Sequence, residues 1–173
     1  MWAACCPRAG RSSASQRDGL HLVRAAIALG SNLGDRQAML AGAAAALGGI
    51  LTDLKLSSAH ETAYVGSGGA QPSYLNAAAV GETSLSARAL LDVLLATERQ
   101  FGRERPYPDA PRTLDLDLIL YGMEIHDAPG LVVPHPRFRQ RRFVLEPLAE
   151  IAADWTDPVT GRTVEELLRV LDS

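Results

Sequence analysis

Two carboxylates one residue apart, Asp115 and Asp117, stand in the run Pro111-Arg112-Thr113-Leu114-Asp115-Leu116-Asp117-Leu118-Ile119-Leu120-Tyr121. Its period of two predicts a β-strand, with Leu114, Leu116, Leu118 and Leu120 on one face and both aspartates on the other. Residues i and i+2 of a strand lie about 7 Å apart on the same side. Carboxylates that close repel each other unless a cation lies between them. Hard oxygen ligands suit Mg²⁺, which binds through one or two carboxylates together with substrate phosphates. Two such ions about 4 Å apart clamp a phosphate under attack. Arg112, just upstream, carries a planar fork suited to phosphate oxygens. The spacing also describes the solvated acidic face of an edge strand, so the surrounding residues must decide.

Tyr74 and Asn76 share a strand face and would offer a flat heterocycle a stacking ring beside a paired donor and acceptor. A packed tyrosine next to a turn asparagine is the plainer reading. Glu98 lies on or beside the apolar stripe of a helix and needs a partner there, either Arg99 or Arg103 or a ligand. His135, in Val132-Val133-Pro134-His135-Pro136, is a phosphate contact or an ordinary turn histidine. Eight arginines between Arg99 and Arg142 flank the acidic strand, which suggests a polyanion held through metal.

The elements that must position these groups follow from pattern. Residues 22–29 read as a first strand running into the turn Gly30-Ser31-Asn32-Leu33-Gly34-Asp35, which lacks the Gly-Lys-Ser/Thr ending of a nucleotide loop. A helix follows over 35–47, with Asp35 at the positive end of its dipole and Gly48-Gly49 as its stop. Residues 51–58 predict a second strand with Leu54 and Leu56 on one face, and 61–72 a glycine-rich loop containing Gly66-Ser67-Gly68-Gly69. Residues 74–81 read as a strand. A helix capped by Ser84 or Ser86 then runs to Gly102, with Leu90, Leu91, Leu94, Leu95 and Phe101 as its stripe. Residues 103–111, with Pro106, Pro108 and Pro111, cannot be helix; Arg103, Arg105 and Tyr107 make this segment a candidate lid. Residues 145–151 and 164–171 predict two short helices.

Composition sets the frame. The chain has 173 residues, 47% of them hydrophobic, and a net charge of -3, which describes one globular domain over 21–173 rather than a nucleic-acid-like surface. No apolar run is long enough to cross a bilayer. Residues 1–20 are Ser- and Arg-rich with one acidic residue, Asp18, and read as an unstructured tail or a start placed too far upstream. The two cysteines, Cys5 and Cys6, adjoin each other in that tail and give no disulfide framework, so a reducing cytosol is the expected compartment.

Five blocks in order carry a resemblance: Gly30-Ser31-Asn32-Leu33-Gly34, Gln71-Pro72-Ser73-Tyr74-Leu75-Asn76-Ala77, Gly102-Arg103, Pro111 to Asp117, and Val133-Pro134-His135. Together they resemble the 6-hydroxymethyl-7,8-dihydropterin pyrophosphokinases of the folate pathway. The resemblance implies an α+β, ferredoxin-like fold with a mainly antiparallel sheet. It implies transfer of diphosphate from ATP to the pterin hydroxymethyl group, with release of AMP. By position, Asp115 and Asp117 would hold two Mg²⁺ ions, and Tyr74 and Phe143 would sandwich the pterin, whose edge Asn76 and the backbone from Thr62 to Val65 would read. Glu98, Arg103, Arg112, His135 and Arg141 would address the nucleotide, with Arg103 and Arg112 also acting on the transferring group. A monomer that binds neither nucleic acid nor membrane is expected. The chain departs from the family at Asp109-Ala110, where a Trp-Gly often precedes Pro-Arg, and at Ala63-Tyr64, where a proline often follows the threonine.

Two other classes share parts of this pattern. A two-metal nucleotidyltransferase also carries Asp-x-Asp on a ferredoxin-like sheet, and would release pyrophosphate rather than AMP. An RNA-binding module on the same topology needs exposed aromatics and a basic face on its central strands, where this chain is acidic.

Overall fold

The computed structural model describes residues 21–64, 71–102 and 112–172. The expectations for the tail at 1–20, for Val65 and Gly66 to Gly69, and for Arg103, Arg105, Tyr107 and the candidate lid fall outside the described residues. In chain order come β1 (Val23–Ser31), α1 (Arg36–Leu47), β2 (Thr52–Leu56), β3 (His60–Thr62), β4 (Tyr74–Thr83) and α2 (Ala87–Gln100). They are followed by β5 (Asp115–Tyr121), β6 (His126–Ala128), β7 (Leu131–Val133), a 3₁₀ turn (Phe138–Gln140), α3 (Arg142–Ala152) and α4 (Val164–Leu171). The main sheet runs β2-β4-β1-β5, every pair antiparallel, and β3 continues the β2 edge along β4. Taking β2 and β3 as one interrupted strand, the order is that of a ferredoxin-like α+β fold. No helix among the described residues is long and apolar enough to cross a membrane.

Local chemistry sets the helix starts. Asp35 accepts from Ala38 N–H, Ser86 from Ala89 N–H, and Thr163 forms a capping box with Glu166, so α1, α2 and α4 each open with an orphan donor satisfied, while α3 starts without a side-chain cap. Gly42 of α1 lets the Phe101 ring approach; a Cβ there would stand 2.5 Å from Phe101 Cε1.

The sheet is covered on both faces. Ile27, Leu29, Leu75, Ala77, Leu116 and Leu118 pack under α1 and α2 with Leu40, Leu47, Leu90 and Leu94. On the other face Ala26, Ala78, Val80, Ile119 and Leu120 meet Phe138, Val144, Leu145 and Leu148. Helices α3 and α4 cover only part of that second face, and the uncovered part carries Asp115 and Asp117.

Two expectations are corrected. Leu120 does not share a face with Leu114, Leu116 and Leu118: the β1–β5 register shifts between Ala26 and Ile27, so Ile119 is the extra residue of a bulge and Leu120 turns to the α3 side. Leu54 and Leu56 do share a face, Leu54 packing on the cluster that holds Ala79 and Leu56 pairing with Ala79 itself, although Leu56 is 46% exposed. Glu61 and Thr62 are strand, not loop, because His60–Thr62 pairs with Tyr74 to Asn76.

Candidate active site

Gly30 lies in the middle of the uncovered face, paired with Asn76 of β4 on one side and Asp115 of β5 on the other. A Cβ at Gly30 would meet Asn76 Oδ1 at 3.4 Å, Asp115 Cβ at 3.9 Å and Tyr74 Cδ1 at 3.9 Å. The missing side chain therefore leaves a floor between an aromatic and carboxamide wall and an acidic wall. Ala28, one step along, separates Ala78 from Asp117 in the same way.

On the acidic wall, Arg112 Nη1 lies 2.5 Å from Asp115 Oδ2. Burial works to lower the Arg112 pKa; the Asp115 carboxylate outweighs it and holds the guanidinium above its ordinary value. The strand entry is fixed by Asn32, which is buried. Its Oδ1 accepts from Arg112 N–H (2.8 Å), its own N–H donates to Arg112 O (3.1 Å), and its Nδ2 donates to Gln71 Oε1 (3.2 Å). Three of the five sequence blocks thus meet at one carboxamide. Glu98 is buried beneath the strand, and its Oε1 accepts from Leu116 N–H at 2.7 Å, between the two aspartates. The backbone of β5 is thus one of the partners its burial demands.

The Ile119 bulge also places His135. The Ile119 carbonyl accepts from His135 N–H (3.0 Å), which follows a cis Val133–Pro134 peptide, and Nε2 comes to 3.9 Å from Asp117 Oδ2. Burial, then Arg141 and Arg137, lower the His135 pKa to about 4. At neutral pH the ring is uncharged and its approach to Asp117 is no ion pair. Arg137 N–H donates to Nδ1 (3.2 Å), which assigns the proton to Nε2 and makes that atom a donor beside Asp117.

The basic segment 137–142 divides by partner. Arg139 grips buried Asp157, and Arg142 pairs on the surface with Glu146 and Asp172. Arg141 faces the site, 3.6 Å from Asp117 Oδ2; burial, then Arg137, lower its pKa, and an arginine stays charged regardless.

Opposite, Asn76 Nδ2 donates to Thr62 Oγ1 at 2.7 Å, joining β4 to β3 and fixing the carboxamide over the floor. Tyr74 stacks on Tyr64, ring centroids 6.4 Å apart and 23° between planes, so the residue that departs from the family's proline gives the tyrosine wall a second ring. Phe143, half-buried at the start of α3, packs against the cluster under that helix, with Arg141 over its ring at 5.5 Å. Arg36 Nη1 donates to Glu61 Oε1 (2.9 Å) and to Ser73 O (2.9 Å), tying α1 to both strands of this wall.

The structure thus gathers Arg112, Asp115, Asp117, His135 and Arg141 on one wall and Thr62, Tyr74 and Asn76 on the other, with Glu98 behind the first. Sequence reasoning missed Asn32, read only as part of a turn, and Arg36. Two oxygen-donor carboxylates on one strand face, ringed by arginines, fit a magnesium ion that shares its shell with phosphate. No cluster of three His, Cys, Asp or Glu side chains that would cage a metal by itself exists among the described residues.

A ferredoxin-like sheet thus carries paired carboxylates beside arginines and, across the Gly30 floor, a stacked pair of tyrosines. The model of the 7,8-dihydro-6-hydroxymethylpterin-pyrophosphokinase family matches residues 26–153, and the chain belongs to that family. It is 43% identical to a 2-amino-4-hydroxy-6-hydroxymethyldihydropteridine pyrophosphokinase of Synechocystis sp., over 86% of this chain and 76% of that protein. The like-named protein of Methylorubrum extorquens is 43% identical, over 87% of this chain and 95% of its own length. Among solved structures, wild-type Plasmodium falciparum HPPK-DHPS matches with a TM-score of 0.67 at 11% identity, a likeness of fold. The match covers 86% of this chain and 44% of that one, so the chain spans under half the length of the solved chain it matches.

Proposed function

We propose that the two walls around Gly30 are the two substrate sides of the family's reaction: pterin on Tyr74, Asn76 and Thr62, closed by Phe143, and ATP phosphates on the Asp115 and Asp117 side. The reaction is transfer of diphosphate from ATP to the hydroxymethyl group of 6-hydroxymethyl-7,8-dihydropterin, releasing AMP, in folate biosynthesis. The observation that carries the reading is the floor itself, where one absent side chain sets Asn76 Oδ1 and Asp115 on either side of the same gap.

Asp115 and Asp117 would hold two Mg²⁺ ions. When bound, these supply neutralisation of the phosphate charge and polarisation of the group in transfer. Arg112 and Arg141 place fixed positive charge beside both carboxylates, where it stabilises the charge that develops on the moving phosphoryl oxygens. His135 offers Nε2–H as an uncharged donor to the same oxygens. Glu98 holds the Leu116 N–H and so keeps the strand between the aspartates straight. Tyr74 and Phe143 stack on the ring, and Asn76 with Thr62 orients its edge so that the hydroxyl points across the floor. Positioning and electrostatics suffice, and no covalent enzyme intermediate is needed. The protein acts as a monomer on this reading, since both walls come from one chain.

The test is incubation with ATP, Mg²⁺ and 6-hydroxymethyl-7,8-dihydropterin. AMP and the pterin diphosphate should appear together in equal amounts. AMP-free turnover, or pyrophosphate as the released product, would overturn the reading.

A further inference from the structure

The edge strand of the sheet is interrupted between β2 and β3, and one side chain from across the molecule spans the break. Ser58 N–H donates to Glu150 Oε2 (2.8 Å), Ser58 Oγ donates to Oε1 (2.7 Å), and His60 Nε2 lies 2.5 Å from Oε1. Glu150 sits in the last turn of α3, where the helix dipole disfavours a carboxylate and no basic residue offsets it. Local helix chemistry therefore gives no reason for it; the tertiary contact does.

What the contact joins is specific. Seven residues earlier on α3 is Phe143, two turns away and so on the same side of the helix as Glu150. On the strand, two residues after His60, is Thr62, which accepts from Asn76. His60 itself pairs with Asn76 in the β3–β4 register. One end of α3 thus carries Phe143, the ring proposed above to close the slot, and the other end is fastened to the strand that carries Thr62.

We propose that Glu150 is a positioning residue for the pterin slot: its bonds to Ser58 and His60 fix the distance between Phe143 and the Tyr74, Asn76 and Thr62 wall. The inference rests on the reading of this slot as the pterin subsite. It assigns the larger effect to pterin, because Glu150 bonds the edge strand of the pterin wall directly, whereas on the phosphate side Asn32 bonds the Arg112 backbone, Glu98 bonds the Leu116 backbone, and Arg141 alone of the named phosphate-side groups comes from the start of α3.

The experiment is equilibrium titration of the full chain with 6-hydroxymethyl-7,8-dihydropterin in the presence of a non-hydrolysable ATP analogue, and of the analogue alone with Mg²⁺. Glu150→Ala should weaken pterin binding about tenfold and the analogue's affinity much less. Glu150→Gln, which keeps an acceptor for Ser58, should recover part of the loss. Equal weakening of both ligands, or no change in either, overturns the inference. Should Glu150→Ala fail to fold, Ser58→Ala and His60→Ala each remove part of the clamp and must show the same selective loss. Absence of pterin binding by the unaltered chain would instead sink the proposed function, and the inference with it.

Discussion

Arg139 holds Asp157 through two 2.7 Å bonds, Nε to Oδ2 and Nη2 to Oδ1, and Val159 N–H, Thr160 N–H and the Thr160 hydroxyl complete a carboxylate with no exposed surface. Arg112 and Asp115 are the same residue types, yet their side chains keep 23% and 19% of their surface in water. Asp117 keeps 34%, and Arg141 stands 3.6 Å from it. The first arrangement is closed: each oxygen has its donors, and nothing more is asked of it. The second keeps part of its surface in water, where a further charge can approach. Residue type does not separate these two ion pairs; exposure to water does.

The largest expected effect tests the open pair. Asp115→Ala and Asp117→Ala should each lower turnover at least about a thousandfold, the scale of removing a group that stabilises charge only in the transition state. Folding should survive, since deleting one of two crowded carboxylates relieves repulsion in the metal-free protein. AMP release and thermal melting together check this. A variant that melts normally and turns over at near-normal rate would refute the metal-holding role proposed for these carboxylates.

The closed pair should behave oppositely. Asp157→Ala should cost about 3 kcal/mol of stability, because it strands Arg139 and two backbone donors of the 157–160 turn. The loss should depend on pH with a definite sign. Burial raises the Asp157 pKa, but the Arg139 fork, the Thr160 hydroxyl and Val159 N–H outweigh it and hold the carboxyl below its ordinary value. A depressed carboxyl contributes fully above its unfolded value of about 3.9 and loses the contribution as pH falls through the folded value. Denaturant titrations should therefore show the gap between wild type and Asp157→Ala constant from pH 7 to about 5, then closing toward more acid pH. A gap that widens in acid would contradict the assignment.

The contrast explains how much was legible in the sequence. Alternation around Asp115 and Asp117 predicted their shared face, since a strand's period shows locally. The phase change at Ile119 could not be seen, because Leu118, Ile119 and Leu120 are all apolar and either face accepts them. Glu98 declared by its place on an apolar stripe that it had a partner; that the partner is Leu116 N–H is a tertiary fact. Asn32 looked like turn chemistry because its bonds reach Gln71 and Arg112, far along the chain. In the run from Arg137 to Arg142 the arginines look equivalent, and only packing assigns Arg139 to Asp157, Arg142 to the surface and Arg141 to the site.

A subtler comparison lies inside the site, between its floor and its walls. Gly30 sits in a strand with no positive-φ requirement, where glycine has no conformational advantage and an alanine would cut the freedom of the unfolded chain. Its added Cβ would find ordinary contact distances, the closest 3.4 Å. Gly30→Ala should therefore leave the melting temperature unchanged or slightly raised while weakening pterin binding by about 1 kcal/mol, as the new methyl occupies the floor. Lower stability with intact binding would show that the glycine serves the sheet and not the slot.

The smallest effect belongs to a third carboxylate–arginine contact, Arg142 with Asp172, which joins α3 to α4 at the surface. Geometry alone ranks it strong, since Arg142 also bonds Glu146 one turn on, and those two carboxylates raise its pKa above the ordinary value. Exposure decides otherwise: Arg142 keeps 55% of its side-chain surface and Asp172 keeps 45%, so water competes for both charges and salt screens them. What holds α4 to α3 is apolar, through Val164 and Leu167 packed with Val144, Leu145 and Leu148. Arg142→Ala should accordingly leave thermal melting unchanged at physiological salt, with any difference appearing only at low ionic strength. It should also leave pterin and ATP affinities intact, although Arg142 directly follows Arg141 and directly precedes Phe143. A large loss of stability that persists at high salt would mean that an exposed pair can do what the buried Arg139–Asp157 pair does, and exposure would no longer be the distinguishing property.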